Sequence, residues 1–489
     1  MNTIKKISGL LLGLFIMQAG FSHYTAKYHV IVDTDGGMDD FRALCMMLAS
    51  PEIEVIAITT ADGILNPVET AVKVSSLLHR FGHQGIPVGI GNERPGNIDL
   101  PAGASEVAKK ISWGEETIEN VGSRPAAVDL IKASLSLEEM PVDFIALGPL
   151  TNIAAAIQSE TGLEEGIRKI IWYSEGMGGT GLNYKMDPHA SNIVARSGYC
   201  MDLISSGGSM IGNLKDFLLA LDTIRSDYAK AILDIYRRNE SSIMHHNMGS
   251  RLADDCIPLY LTHPEHFIVT PVGDDPDRRE IHADASSDLQ NAIFELLDSD
   301  NEDKSIIFNR FPTDANLFEN DVAAISDQVI DKYGLKEWKI VVLTNEFHEH
   351  LGIYSIIGAK MGLRAREYFC VGIDELPVES LAGNNPPVSC LNDGLQVSTG
   401  ATLGHGTIVV CDKNPSPTAR FTFKNSTIEI HLKESLLKQI RDDIKTGIQE
   451  HGLDSSEYWD YIRKLALQYW IGLDRRDIFE IVICDMAGD

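Results

Sequence analysis

The sequence is short of basic residues and of cysteine, and past its N-terminal stretch it has no long apolar run. Lys and Arg number 42 against 70 Asp and Glu, for a formal net charge of −28. This imbalance opposes binding to nucleic-acid backbones and anionic membranes and suits capture of a cation. The seven cysteines, at 45, 200, 256, 370, 390, 411 and 484, form no CxxC pair. Neither a disulfide scaffold nor a zinc ribbon fits that spacing, and most of the thiols are expected to be small buried hydrophobes. Repeats and low-complexity tracts are absent too. With 489 residues, 44% of them apolar, the chain has material for about two or three globular domains.

At the N-terminus Lys5 and Lys6 precede an apolar run from Ile7 to Met17, followed by small and polar residues. About a dozen apolar residues are too few to span a bilayer, so residues 1–22 read as a secretory signal peptide and the protein as secreted or periplasmic. The competing reading is a buried N-terminal helix. No cysteine near Gly20 supports a lipid anchor.

From Tyr28 onward, short β-branched runs alternate with amphipathic stretches. His29–Asp33, Val55–Thr60, Pro87–Ile90, Asp143–Leu147 and Lys169–Tyr173 read as strands; Asp40–Leu48, Pro67–His79 and Asn152–Ser159 read as helices. Strands separated by helices imply an α/β fold with a doubly wound, mostly parallel sheet, whose ligands sit beyond the carboxyl ends of the strands. A mostly helical stretch follows from about Leu214 to Asp298. The apolar run Lys339–Thr344 opens a second alternation after Gly334, which puts a first domain at 28–333 and a smaller α+β domain at 335–489. Its tail reads as helices, with Trp459, Tyr461 and Trp470 as core residues.

The densest chemistry is Ile31-Val-Asp-Thr-Asp-Gly-Gly-Met-Asp-Asp40, with four carboxylates where a strand gives way to a helix. Two like charges about 4 Å apart repel by about 4 kcal/mol at an effective dielectric near 20, so this crowding calls for a cation or a proton. Gly36 and Gly37 permit the sharp turn. Oxygen ligands of this kind select Ca²⁺ or Mg²⁺. An EF-hand loop counted from Asp33 fails, because its glycine and glutamate places hold Met38 and Leu44. Helix capping would account for Asp39 or Asp40 but not also for Asp33 and Asp35.

This segment resembles the N-terminal signature of the inosine-uridine-preferring nucleoside hydrolases. Ala146-Leu-Gly-Pro-Leu-Thr-Asn-Ile-Ala154, and Met177-Gly-Gly followed by Asn183, match the same family in order, over about residues 28–333. The resemblance implies Ca²⁺-dependent hydrolysis of an N-riboside. By that resemblance Asp35, Asp40, the Leu147 carbonyl and Asp254 hold the ion, and Asp35 is the catalytic base. Asp39 then takes a ribose hydroxyl, while Met177, Asn183 and Asn192 belong to the substrate site. An oxocarbenium-like transition state suits such a carboxylate-rich site. The partner is a small nucleoside-like molecule, and dimers or tetramers fit the family.

Departures from the pattern are concentrated in the substrate pocket. The family histidine that assists the leaving base falls at Ala253, an acidic sugar ligand at Ala190 and an early asparagine at Ile64; the His-Gly-rich loop is missing around Ser112–Glu116. Each loss removes a contact worth about 1–3 kcal/mol unless it is replaced. His189 is either such a replacement or an exposed loop residue. These losses favour a ligand other than a common purine nucleoside and leave an alternative standing: a non-catalytic, calcium-dependent sugar- or nucleoside-binding protein. Gly176-Met-Gly-Gly-Thr-Gly181 has dinucleotide spacing but continues into Asn183-Tyr-Lys-Met-Asp-Pro188 rather than a helix start, which argues against NAD.

The second domain carries Phe347-His-Glu-His-Leu-Gly352 and Cys390-Leu-Asn-Asp393, with a glycine-rich segment from Thr399 to Gly406. It resembles the E subunit of formylmethanofuran dehydrogenase over about residues 340–430, with Gly352 and Ala401 in place of two family cysteines. Two readings stand for His348, His350 and Cys390. They form a transition-metal site such as one for Zn²⁺, with both rings on one face of a strand, or they are polar residues at a strand end beside a buried thiol.

Overall fold

The structure is a computed structural model that describes residues 26–94, 100–115, 124–159, 163, 166–174, 181–245, 252–273, 275–299 and 305–484. The N-terminal stretch read as a signal, Met177 and most of the glycine run around it lie outside the described residues.

The first domain is built on an eight-stranded sheet. In chain order its strands are β1 (Tyr28–Thr34), β2 (Ile53–Thr60), β3 (Val88–Ile90), β4 (Val142–Ala146), β5 (Ile167–Tyr173), β6 (Met201–Ser205), β7 (Phe267–Val272) and β8 (Asp275–Ala283), arranged β3-β2-β1-β4-β5-β6-β8-β7. All neighbours are parallel except β7 and β8. The central strands are buried on both faces, which is why they read as unbroken apolar runs. Helices cover the two faces. The helix Pro67–Phe81 starts at an Asn66 side chain that accepts from the Glu69 backbone N–H at 2.8 Å, and it stops at Gly82, where φ is 79°.

The stretch between Leu214 and Asp298 is mostly helical, as expected, but the hairpin of β7 and β8 interrupts it. Four of the six β7 residues are exposed and β8 reads Asp-Pro-Asp-Arg-Arg-Glu-Ile-His-Ala, so this sheet edge lacks the apolar signal of the buried strands. Cysteine burial also needs correction. All seven thiols are free, but only Cys45 and Cys256 are buried, Cys200 is exposed and the other four are half-buried.

The second domain has its own core, in which Trp338 stacks on Trp470 at 5.2 Å. Five strands, β9 (Val378–Ser380), β10 (Ile408–Val410), β11 (Thr418–Phe423), β12 (Ser426–Leu432) and β13 (Phe479–Cys484), form a sheet ordered β10-β9-β11-β12-β13. Lys339–Thr344 is not the start of a strand. It lies inside the helix Asn320–Phe347, which bends at Gly334, where φ is 85°. Ile340, Val341 and Thr344 face inward at helical spacing, so packing overrides their β-branched preference. Val329 and Tyr333, before the bend, pack in this same core. The tail forms the expected helices, Glu434–His451 and Ser456–Gly472, followed by β13. Among its aromatics Trp470 is buried, whereas Trp459 is exposed. No helix among the described residues is long and apolar enough to cross a membrane.

Candidate functional site

The strand register assembles the site. Asp33 pairs across β1 with Thr59 on β2 and Ala146 on β4, so three strands end together and the turn Asp35–Gly37 leaves the sheet at its carboxyl edge. Asp33 is structural in its contacts: its Oδ1 accepts from Thr59 Oγ1 at 2.7 Å and Asn152 Nδ2 at 2.8 Å. Burial nevertheless raises its carboxyl to about 7. Asp40, at the start of the helix Met38–Ala49, uses Oδ2 to accept from Thr34 Oγ1 at 2.6 Å and the Asp35 backbone N–H at 3.0 Å.

Asp35 is wedged between two glycines. A Cβ on Gly63 would lie 2.2 Å from Asp35 Oδ2, and one on Gly148 2.8 Å from Asp35 Cβ. At Gly36, φ is 88° and a Cβ would meet Thr70 Oγ1 at 2.7 Å. Gly63 and Gly148 therefore fix where the Asp35 carboxylate can sit, and Gly36 permits the turn that carries it.

Asp254, on the loop before the helix Cys256–Thr262, joins this group. One carboxylate oxygen from each of Asp39, Asp40 and Asp254 lies within 4.8 Å of the others, a set that includes Asp39, expected on the sugar, and not Asp35, expected on the ion. Asp254 is buried, and its Oδ1 has no hydrogen-bond partner. Burial, then the charges of Asp40 and Asp39, push the Asp254 carboxyl well above the usual carboxylate range. Burial and the same two neighbours raise Asp35, and burial and Asp40 raise Asp39 to about 6. Buried carboxylates this close must share protons or a cation. The oxygen donor set and the orphaned Asp254 oxygen fit a hard divalent ion.

The pair that seats Asp254 was not anticipated from the sequence. Arg42, buried one turn into the helix Met38–Ala49, donates from Nε to Asp255 Oδ1 at 2.9 Å and from Nη2 to Asp255 Oδ2 at 2.5 Å; its Nη1 donates to Tyr236 Oη at 2.7 Å. Arg42 and Asp255 are 2% and 1% exposed. The helix that carries Asp39 and Asp40 thus grips the residue next to Asp254. An arginine on the apolar face of a helix, with an aspartate doublet far downstream, was the available signal.

The Leu147 N–H donates to Asp33 O at 2.9 Å, and the Leu147 carbonyl accepts from Asn183 Nδ2 at 2.7 Å. Asn183 therefore sits at the edge of the site. Asn192 does not reach the carboxylates through any described contact: it is exposed, and its Nδ2 donates to Pro188 O at 2.7 Å within its own helix. His189 is exposed on that helix, Pro188–Ala195, rather than on a loop. Ala253 and Ala190 are buried. A cation that the sequence did not single out stands on the same rim: Arg94 donates from Nη2 to Asp62 O at 2.6 Å and from Nη1 to Met186 O.

In the second domain His348 contacts both His350 and Cys390, although not on a strand, and the three do not bring one ligand atom each within 4.8 Å of the others. His348 ends the helix Asn320–Phe347, Glu349 turns with φ 58°, and Cys390 precedes the helix Leu391–Thr399. The two imidazole rings are 4.2 Å apart, and Trp459 packs edge-on to His350 at 5.2 Å. His348 Nδ1 bonds Asp393 Oδ2 at 2.7 Å, while its buried Nε2 has no well-aligned partner. Hydrogen bonding to Asp393, then to Cys390, raises His348 to about 9; burial, then the neighbouring His348, lowers His350.

Comparison with known proteins agrees with both halves of this architecture. Residues 347–471 match the family described as FmdE, molybdenum formylmethanofuran dehydrogenase operon. Similar curated proteins include the pyrimidine-specific ribonucleoside hydrolase RihA of Salmonella paratyphi A, 28% identical over 253 residues, 49% of this chain and 80% of that one. Non-specific ribonucleoside hydrolase RihC of Salmonella newport is 27% identical over 256 residues, 50% of this chain and 81% of that one. Uridine nucleosidase 1 of Arabidopsis thaliana is 28% identical over 221 residues, 42% of this chain and 65% of that one. Among solved structures, the purine-preferring ribonucleoside hydrolase from Gardnerella vaginalis aligns with a TM-score of 0.44 at 20% identity, over 56% of this chain and 98% of that one. The description inosine-uridine preferring nucleoside hydrolase matches residues 30–327, more than half of the chain, and the protein belongs to that family.

Proposed function

We propose that the first domain hydrolyses the N-glycosidic bond of a ribonucleoside or related N-riboside and depends on Ca²⁺ to do so. The observation that carries this reading is the buried Asp254 carboxylate, brought to Asp39 and Asp40 with an oxygen that no protein group satisfies. Asp35, Asp40, Asp254 and the Leu147 carbonyl would hold the ion. When bound, a hard dication supplies charge to offset the carboxylates and Lewis acidity toward water. Asp35 accepts the proton of the attacking water, a role its raised proton affinity and its fixed seat between Gly63 and Gly148 both support. Asp39 accepts a hydrogen bond from a ribose hydroxyl, Asn183 contacts the sugar, and the carboxylates stabilise the positive charge that develops on the ring.

Ala253, in the place of the family histidine that assists the leaving base, offers it no acid. Substrates whose base leaves without being protonated, such as N-ribosides carrying a cationic ring nitrogen, should therefore outrun purine nucleosides. Release of free ribose from a panel of N-ribosides, with Ca²⁺ and after chelation, tests the proposal. Release that chelation abolishes supports it; tight calcium binding with no release from any member would favour the binding-protein alternative.

For the second domain, the pairing of His348 with His350 and with Cys390 supports a transition-metal site. Elemental analysis of the wild type against His350→Ala checks it, with unchanged metal content counting against it. The basic-then-apolar start of the chain supports export, which fractionation of the native host would test.

A further inference from the structure

A third group of candidate ligands lies at the opposite end of the large sheet, where neither the family signature nor the second-domain motif reaches. His29 on β1 and Glu54 on β2 are register partners near the amino ends of their strands, and Glu138 ends the helix Ala127–Leu137 that leads into β4. Four residues of strand separate His29 from Asp33, about 13 Å, so this cluster is distinct from the carboxylates at the other edge. The side chains of His29, Glu54 and Glu138 are 7%, 10% and 6% exposed.

His29 Nδ1 lies 3.5 Å from Glu54 Oε2 and 3.3 Å from Glu138 Oε1, and one ligand atom from each of the three residues falls within 4.8 Å of the others. A charged N–H···O⁻ hydrogen bond would be about 2.7–2.9 Å. Against its burial, Glu138 and then Glu54 raise the proton affinity of the imidazole, yet both contacts are longer than that and neither ring nitrogen of His29 makes a well-aligned hydrogen bond. The spacing instead matches the edge of a tetrahedron about a zinc-sized ion. With metal–ligand bonds of about 2.0–2.2 Å, neighbouring ligand atoms stand about 3.3–3.6 Å apart.

Lys424 completes the arrangement from the second domain. It sits at the turn between β11 and β12 with φ 52°, and its Nζ bonds Glu54 Oε1 at 2.8 Å and Glu138 Oε2 at 2.5 Å. These are the carboxylate oxygens that do not face His29. The ammonium therefore orients the two carboxylates from behind, as groups bonded to metal ligands do, and leaves the inner oxygens free. Two carboxylates, one ammonium and a neutral imidazole leave one net negative charge for a dication. Glu375, also from the second domain, faces the same seam; burial, then the charge of Glu54, raises its carboxyl to about 7.

We propose that His29 Nδ1, Glu54 Oε2 and Glu138 Oε1 form a site for a first-row divalent ion of the zinc class, at the seam where the second domain docks on the amino edge of the hydrolase sheet. One nitrogen and two oxygens favour Zn²⁺ or Co²⁺ over Ca²⁺. Water fills the remaining position.

Co²⁺ titration of the full chain, with saturating Ca²⁺ and in a Cys390→Ser background, tests this. Wild-type seam residues should give one equivalent of bound cobalt with visible d–d bands and no thiolate charge-transfer band. Glu138→Gln, which keeps size and shape, should lose that equivalent or bind at least tenfold more weakly, and His29→Ala should do the same. Zn²⁺ should raise the melting temperature of the parent and not of Glu138→Gln. No uptake by the parent, or equal uptake by parent and Glu138→Gln, would overturn the site and leave a protonated His29 between two glutamates.

Discussion

Asp35, Asp39, Asp40 and Asp254 repel one another in a buried setting, and that repulsion gives the protein a pH signature. Asp33 and Asp39 titrate near 7 and 6 in the folded chain, above the ordinary aspartate range. A carboxyl with a raised folded pKa binds more protons folded than unfolded across the window between the two values, so stability falls as pH rises through it. His348, raised to about 9, adds stability at low pH that is lost toward 9 and works in the same direction. In chelator the melting temperature should therefore drop by several degrees between pH 5 and pH 8, and Ca²⁺ should recover most of the loss at pH 8; a rise over that range in chelator would contradict this. Asp35→Asn should lower kcat by about 10²–10⁴-fold with folding intact, measured by ribose release. Arg42→Ala strands Asp255 as a buried unpaired charge and should cost about 3–5 kcal/mol in urea unfolding, whereas Arg42→Met with Asp255→Leu should recover most of it.

At the scale of elements, the site is a set of strand ends held in register, with glycines placed where Asp35 needs room. Gly63→Ala should keep the secondary structure seen by circular dichroism and weaken Ca²⁺ binding by tenfold or more, because its Cβ would stand 2.2 Å from Asp35 Oδ2; unchanged affinity would show that the glycine is not what fixes the carboxylate. The strands β1, β2, β4 and β5 were legible because burial on both faces writes an unbroken apolar run. The acidic turn was legible because four carboxylates in so short a span repel too strongly to coexist without a cation or a proton. The hairpin of β7 and β8 was not, since an exposed edge needs no apolar pattern. Nor was the helical state of Lys339–Thr344, whose β-branched residues are overruled by the core they enter. Asp254 could be indicated by a family motif, but the Arg42–Asp255 clamp that seats it joins distant segments, and local sequence carries no record of that contact.

Across the whole molecule, the two domains are joined by polar contacts rather than by a shared apolar core. Arg364 Nη1 donates to Gly82 O at 2.9 Å, His83 Nδ1 lies 2.7 Å from Glu367 O, and Arg476 reaches Asp227 at 3.4 Å and donates to Phe81 O at 3.5 Å. These contacts meet the C-terminal end of the helix Pro67–Phe81; near its other end Thr70 packs against Gly36 beside Asp35. A chain so joined should unfold in one calorimetric transition. Arg364→Ala with Arg476→Ala should split it in two, while a single unshifted transition in that variant would show that the seam does not couple the domains. The convergence of Asp254 on Asp39 and Asp40 around one hard ion is tested most directly by calorimetric titration of Ca²⁺ into the metal-free full chain at pH 7. We expect one tight site per chain with protons released on binding, lost at least a hundredfold in Asp254→Ala. Equal calcium affinity in wild type and Asp254→Ala would contradict it.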